Sequence, residues 1–146
     1  MPHSHPARIF IVEDDPHILD LLRTRLEIAG YDTRWARDGG EAFHAIPVAQ
    51  PAGVILDIGL PSMDGFEVLR RLQACPTSKD IPVMMLTARH AAADVRHALD
   101  LGARDFLAKP FSDQVLLARV ARLIRRHTPV VARPPTNGAS GLAWEV

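Results

Sequence analysis

The sequence predicts an α/β fold: a doubly wound, parallel five-stranded sheet built from five successive (βα) units. Two observations predict it. Short apolar runs alternate with longer amphipathic stretches from about residue 7 to 126, and that alternation gives parallel strands joined by right-handed crossovers, with helices on both faces. The first, third and fourth apolar runs are apolar throughout, as strands covered on both faces are, whereas the second alternates polar and apolar like an edge strand. The strand order 2-1-3-4-5 satisfies both, because it places the second strand at an edge.

The elements follow in chain order. Ile9-Phe10-Ile11-Val12 is the first strand and ends abruptly in Glu13-Asp14-Asp15. Asp15 stands as an N-cap with Pro16 at the first helical position. Leu19, Leu22, Leu26 and Ala29 recur at helical spacing and mark one face, and Gly30 ends the helix. Thr33–Ala36 is the second strand, and Gly39–Ile46 reads as a short helix stopped before Pro47. Val54-Ile55-Leu56 is the third strand, ending in Asp57; Gly65–Leu72 is a helix with Phe66, Leu69 and Leu72 on one face. Val83-Met84-Met85-Leu86 is the fourth strand, ending in Thr87, with both methionines in the core. A helix spans Ala91–Leu101 and stops at Gly102. Phe106-Leu107-Ala108 is the fifth strand, ending in Lys109-Pro110, and Ser112 caps a last helix carried by Leu116, Val120, Leu123 and Ile124. The order is that of flavodoxin-like sheets.

Size and charge narrow the function. A chain of 146 residues makes one ordinary domain. Residues 1–6 read as a flexible tail, 7–126 as the domain, and 127–146, with Pro129, Pro134, Pro135, Gly138 and Gly141, as a tail or linker. Lys+Arg and Asp+Glu balance at 17 each, which argues against direct nucleic-acid binding, since that rests on basic surface. Cys75 is the lone cysteine, so no internal disulfide forms. No apolar run approaches a membrane span, and the first residues lack the apolar stretch of a signal peptide, so the reading is a cytoplasmic protein without membrane contact. His3, His5, His17 and His97 read as surface or tail residues and Trp35 as a packing residue.

Chemistry in an open parallel sheet gathers beyond the carboxyl ends of its strands, at the switch point of the strand order. The first strand delivers Glu13 and Asp14 there, the third Asp57, the fourth Thr87 and the fifth Lys109. Any one of these residues alone is an ordinary loop, cap or surface residue; their coincidence at four strand ends is the signal. Crowded carboxylates repel, and a hard cation such as magnesium resolves the conflict with oxygen ligands. A carboxylate can be a nucleophile that forms an aspartyl-phosphate. A lysine and a hydroxyl then suit the phosphoryl oxygens.

Four segments carry a specific resemblance: Ile11-Val12-Glu13-Asp14, Leu56-Asp57 with Leu60-Pro61-Ser62-Met63-Asp64-Gly65, Leu86-Thr87-Ala88, and Phe106-Leu107-Ala108-Lys109-Pro110-Phe111. From about Ala7 to Arg126 the chain resembles the receiver domain of bacterial two-component response regulators. The resemblance implies that Asp57 accepts a phosphoryl group from a sensor histidine kinase or phosphotransfer protein in a Mg2+-dependent reaction, with Mn2+ as a substitute. It implies metal ligation by Asp14, Asp57 and the backbone carbonyl of Gly59, with Glu13 helping through water. Thr87, Lys109 and the backbone amide of Ala88 would contact the phosphoryl group, and Thr87 with Phe106 would form the switch that controls a partner or output domain. The family also implies a cis peptide at Lys109-Pro110. Such a domain is not an enzyme beyond its self-catalysed phosphorylation and dephosphorylation.

Two other functions fit the architecture. A magnesium-dependent aspartyl-phosphate phosphohydrolase usually carries a catalytic Asp two residues after its nucleophile, where this chain has Gly59. A flavin module needs a Ser-, Thr- and Gly-rich phosphate loop after the first strand, where this chain has three acids. The output is not legible: Leu142–Val146 reads equally as a trimmed strand of an output domain or as tail. In the winged-helix branch of the family, activated receivers pair through the fourth helix, fifth strand and fifth helix. Here Arg104, Val95 and Val115 replace charges usual in that interface, while Asp100 and Arg119 remain and Arg96 adds a cation. The expectation is a receiver that does not form that dimer.

Overall fold

Each apolar run is a strand whose backbone partners are supplied by parallel neighbours. The computed structural model describes residues 5–88 and 92–127. In chain order these form β1 (Arg8–Val12), α1 (Pro16–Ile28), β2 (Asp32–Ala36), α2 (Gly39–Ala49), β3 (Gly53–Asp57), α3 (Gly65–Ala74), β4 (Val83–Thr87), α4 (Ala92–Asp100), β5 (Asp105–Ala108) and α5 (Asp113–His127). The sheet runs β2-β1-β3-β4-β5 with every pair parallel, so the alternating strand is indeed at an edge.

Strand side chains alternate between faces, and the sheet therefore divides the apolar residues into two cores. Phe10, Val12, Val54, Leu56, Val83 and Met85 pack with residues of α2, α3 and α4. Ile9, Ile11, Ile55, Met84, Leu86 and Leu107 pack with residues of α1 and α5. Met84 and Met85 are both fully buried, one in each core.

Local signals set most element ends. The Asp15 carboxylate accepts from His17 N at 2.8 Å, and Gly30 adopts φ 102° just past α1. Ser112 Oγ accepts from Val115 N at 3.1 Å and closes the first turn of α5. The peptide before Pro110 is cis.

Some boundaries differ from the sequence reading. Helix α2 does not stop at Ile46; it carries Pro47 inside and runs to Ala49. Proline there forfeits one backbone bond, but its fixed φ suits the last turn, and Gln50 closes that turn in a left-handed conformation at φ 45°. Its amide donates to Ile46 O at 2.9 Å and its side chain to Pro47 O at 2.8 Å. Ala29 is not on the buried face of α1; it is the exposed C-cap. Helix α3 extends two residues further than read, with Val68, Leu69 and Leu72 innermost and Phe66 half-buried. Helix α4 ends at Asp100, one residue short of Leu101, and its reading from Ala91 begins outside the described residues. Helix α5 includes His127; His3 and the remainder of the segment read as linker, with Leu142–Val146, lie outside the described residues.

Helix α3 begins on a glycine for a steric reason. A Cβ on Gly65 would collide with the Asp57 carbonyl oxygen and lie 2.7 Å from Ile58 Cα, both rigid backbone. Gly59, six residues earlier, has nothing among the described residues within 4 Å of its Cβ position. Gly65→Ala is expected to lower stability by about 1–3 kcal/mol, as overpacking does. Gly59→Ala should stay within about 0.5 kcal/mol of the parent. Urea unfolding of the two variants side by side measures the contrast, and equal midpoints would refute it.

Candidate functional site

Register brings the strand ends level. Val12 lies opposite Leu56, which sets Glu13 beside Asp57; Asp57 lies opposite Leu86, and Thr87 opposite Ala108. Three further backbone bonds hold the edge together: Ile58 N to Leu86 O at 3.0 Å, Lys109 N to Thr87 O at 2.8 Å, and Glu13 N to Ala36 O at 3.1 Å.

Glu13, Asp57 and Thr87 are buried at 0%, 4% and 2% exposure, while Asp14 and Lys109 are half-buried. Lys109 Nζ sits 3.1 Å from Glu13 Oε1 and 3.5 Å from Asp57 Oδ1, so one ammonium serves two carboxylates. Glu13 Oε2 accepts from Asp15 N at 3.1 Å, whereas Glu13 Oε1 is buried without a hydrogen bond of good geometry. Gly59 is exposed at the mouth, and its backbone hydrogen-bonds the Asp57 carboxylate. Ala88 is exposed beside Thr87, and Phe106 is half-buried against the α2–α4 core.

Electrostatics match the crowding. Burial pushes the Asp57 carboxyl above its ordinary pKa, and the charge on Asp14 adds to the rise; Lys109 and the Gly59 hydrogen bond oppose it. Burial likewise raises Glu13, with Asp57 as a like-charged neighbour, against the Asp15 hydrogen bond and Lys109. Burial works against the Lys109 ammonium, yet its contacts with Glu13 and Asp57 hold its pKa above the ordinary value.

The donor set fits a hard divalent cation. Glu13, Asp14 and Asp57 each present a carboxylate oxygen within 4.8 Å of the others, which is all-oxygen and anionic as magnesium requires. Glu13 Oε1 has the Lys109 ammonium as its ion-pair partner but no hydrogen bond of good geometry, and Asp14 is half-buried, so the three acids are not fully satisfied by the protein's own donors.

The sequence reading thus has Glu13, Asp14, Asp57, Thr87 and Lys109 at one edge. The bystanders fall elsewhere. Cys75 lies in the turn after α3, its Sγ 3.2 Å from Thr77 Oγ1. His5, His17 and His97 are exposed; His97 also rests on the Phe66 ring, centroids 4.6 Å apart. Trp35 is 43% exposed beneath the Arg23 guanidinium, 3.8 Å away. Sequence reasoning missed Arg37, which donates to the Asp14 carbonyl at 3.2 Å, and the close seats of Gly39 and Gly65.

Comparison with known proteins agrees with this geometry. The response regulator receiver domain family matches residues 9–121. Response regulator MprA of Mycolicibacterium vanbaalenii is 43% identical over 124 residues, covering 85% of this chain and 53% of that protein. The DNA-binding dual master transcriptional regulator RpaA of Synechocystis is 45% identical over 119 residues, covering 82% of this chain and 49% of that protein. The chain therefore spans about half the length of the curated relatives it matches. The receiver domain of sensor histidine kinase PA1611 from Pseudomonas aeruginosa, crystallised with a magnesium ion in its active-site cleft, superposes with TM-score 0.77 at 28% identity, covering 82% of this chain and 98% of that one. The chain belongs to the response regulator receiver domain family of two-component signalling. Among the described residues no helix is long and apolar enough to cross a membrane.

A raised folded-state pKa on Asp57 and Glu13 has a defined sign. Stability tied to their neutral forms is complete below the ordinary carboxylate range and is lost as pH rises through the raised values. In chelator at neutral pH, Asp57→Asn is therefore expected to melt a few degrees above the parent, the shift that about 1 kcal/mol gives in a domain of this size. The gap should close as pH falls through the raised pKa. Asp32 and Glu67, held low by hydrogen bonds from Arg8 and Arg70, are common to both proteins and cancel in the difference. Thermal melts from pH 4 to 8 test this; a variant that melts lower than the parent at pH 7 would contradict it.

Proposed function

We propose that Asp57 is the phosphoacceptor of this receiver, supported above all by a buried carboxylate beside both a lysine ammonium and two further acids at one sheet edge. The Asp57 carboxylate oxygen attacks phosphorus of a phosphohistidine, the new O–P bond forms, and the P–N bond breaks with its electron pair leaving on the imidazole. Lys109 exchanges part of its contact with Glu13 and Asp57 for the phosphoryl oxygens. The Thr87 hydroxyl and Ala88 amide donate to those oxygens as well. Asp14, Asp57 and the Gly59 carbonyl, with Glu13 through water, would hold Mg2+ or Mn2+, which when bound offsets charge on the phosphoryl group. Hydrolysis of the acyl phosphate is self-catalysed. The phosphohydrolase alternative lacks its acid, since Gly59 has no side chain to supply one. The physiological donor is a sensor histidine kinase or phosphotransfer protein, in the cytoplasm, and the switch runs through Thr87 and Phe106 in a domain spanning residues 7–126.

Intact-mass measurement with acetyl phosphate tests the assignment. The parent should gain one phosphoryl group only with Mg2+ or Mn2+ present, and Asp57→Asn should lose the label. Equal labelling of the variant at the same peptide would sink it. Lys109→Ala should still bind magnesium yet leave the Phe106 resonances unmoved on adding beryllofluoride; a normal response refutes the lysine's role.

The α4–β5–α5 face supports signalling to a different protein over self-pairing. Asp105 is already engaged by Arg122 at 2.8 Å and Arg119 at 3.4 Å within its own chain. Arg96 and Arg104 are exposed, with Asp94 and Asp100 on α4 as further acids, and Leu99 and Val115 are 49% and 41% exposed. Two-fold pairing brings each exposed arginine toward its own copy and repeats any repulsion between Arg96 and Arg104. A partner with an acidic surface suits this face instead. Sedimentation should find monomer with and without beryllofluoride. A beryllofluoride-induced dimer that maps to α4 and β5, and that Arg104→Asp leaves intact or tightens, would overturn the reading.

A further inference from the structure

The junction between β2 and α2 contributes no group to the acidic site, yet it touches both loops that do. Arg37 Nη2 donates to the Asp14 backbone carbonyl at 3.2 Å, beside the Glu13 N to Ala36 O bond at 3.1 Å. The end of β2 is thereby tied to the loop that presents Asp14. Two residues on, Gly39 is buried at the start of α2. A Cβ there would lie 2.5 Å from Met63 O, 2.7 Å from Val68 Cγ2 and 2.9 Å from Met63 Cβ. Met63 belongs to the loop that follows Asp57 and contains Gly59. That loop is fixed at its other end by Ile58 O, which accepts from Leu60 N at 3.0 Å and Gly65 N at 2.8 Å.

The junction is itself stiff. Asp38 Oδ1 accepts from Glu41 N at 2.8 Å, and Glu41 Oε1 accepts from Arg37 N at 3.3 Å. The two residues that reach the loops, Arg37 and Gly39, thus flank a capped helix start. We infer that residues 37–39 gauge the separation between the loop carrying Asp14 and the loop after Asp57, and so set divalent-cation affinity without touching the ion. The inference rests on the metal reading of the site given above.

Sign separates this role from simple charge. Arg37 carries a positive charge beside a cation site, so by charge alone its removal would tighten cation binding. Loss of positioning weakens it, as removal of groups that orient metal ligands does.

Calorimetric titration of the full chain with MgCl2 decides between them. Gly39→Ala is expected to weaken Mg2+ about tenfold or more, and Arg37→Ala about threefold to tenfold. The control is Gly40→Ala, whose Cβ would meet, among the described residues, only Asp38 Oδ1 at 3.6 Å; it should leave affinity unchanged. Parental or tighter binding in Arg37→Ala, or parental affinity in folded Gly39→Ala, overturns the inference; if Gly39→Ala fails to fold, Arg37→Ala decides alone. A parent chain that takes up no Mg2+ overturns the metal reading instead. The gauge is then judged in chelator by the amide resonances of Asp14 and Gly59, which Gly39→Ala and Arg37→Ala must move and Gly40→Ala must not.

Discussion

Two carboxylates withdrawn from water at the edge of a sheet repel each other and resist charging, and here a single ammonium holds them. Lys109 at the end of β5 reaches back across β4 to Asp57 on β3 and Glu13 after β1, at 3.5 and 3.1 Å. That contact ties three strand ends into one unit. It is also incomplete: one lysine cannot neutralise three acids, and both buried carboxyls are held above their ordinary pKa. The excess negative charge makes a divalent cation the natural complement, since any anionic group brought to this point would meet the same repulsion. The apolar strands beneath serve this arrangement, since full burial keeps the edge in register and the acids close together.

Much of this was legible because the relevant signals are local. An apolar run that stops on an acid, a hydroxyl or a lysine names both a strand end and a candidate site residue, which is how Glu13, Asp57, Thr87 and Lys109 came to be singled out. Polar alternation in residues 33–36 marked the edge strand. Pro47 misled because a proline forbids a preceding hydrogen bond but not a final helical turn, and nothing local announced that Gln50 would close that turn.

Clearances between elements were not legible from periodicity, which says which face turns inward but not how near a neighbour's backbone lies. Gly39 and Gly65 are the cases in point. A quieter signal was present: Asp38-Gly39 and Asp64-Gly65 repeat one dipeptide at two helix starts, with the aspartate as cap in each. Capping needs only the aspartate. The glycine beside it marks where a helix is driven against another loop, and in both cases a segment next to Asp57 is what it meets. Arg37 gave no signal at all, because an exposed arginine after an edge strand is ordinary until its carbonyl partner is known.

The division of the interior by the sheet has an evolutionary consequence. Ile55 and Leu56 are adjacent in sequence, yet one belongs to the core under α1 and α5 and the other to the core under α2, α3 and α4. Among the described residues no buried side chain is shared between the two cores, so substitutions in opposite helix layers, well apart and without shared partners, combine additively as separated sites do. A lineage can accumulate change in one layer of helices while the other layer keeps its packing intact. The sheet edge, where both layers terminate, stays constrained whichever side is rewritten.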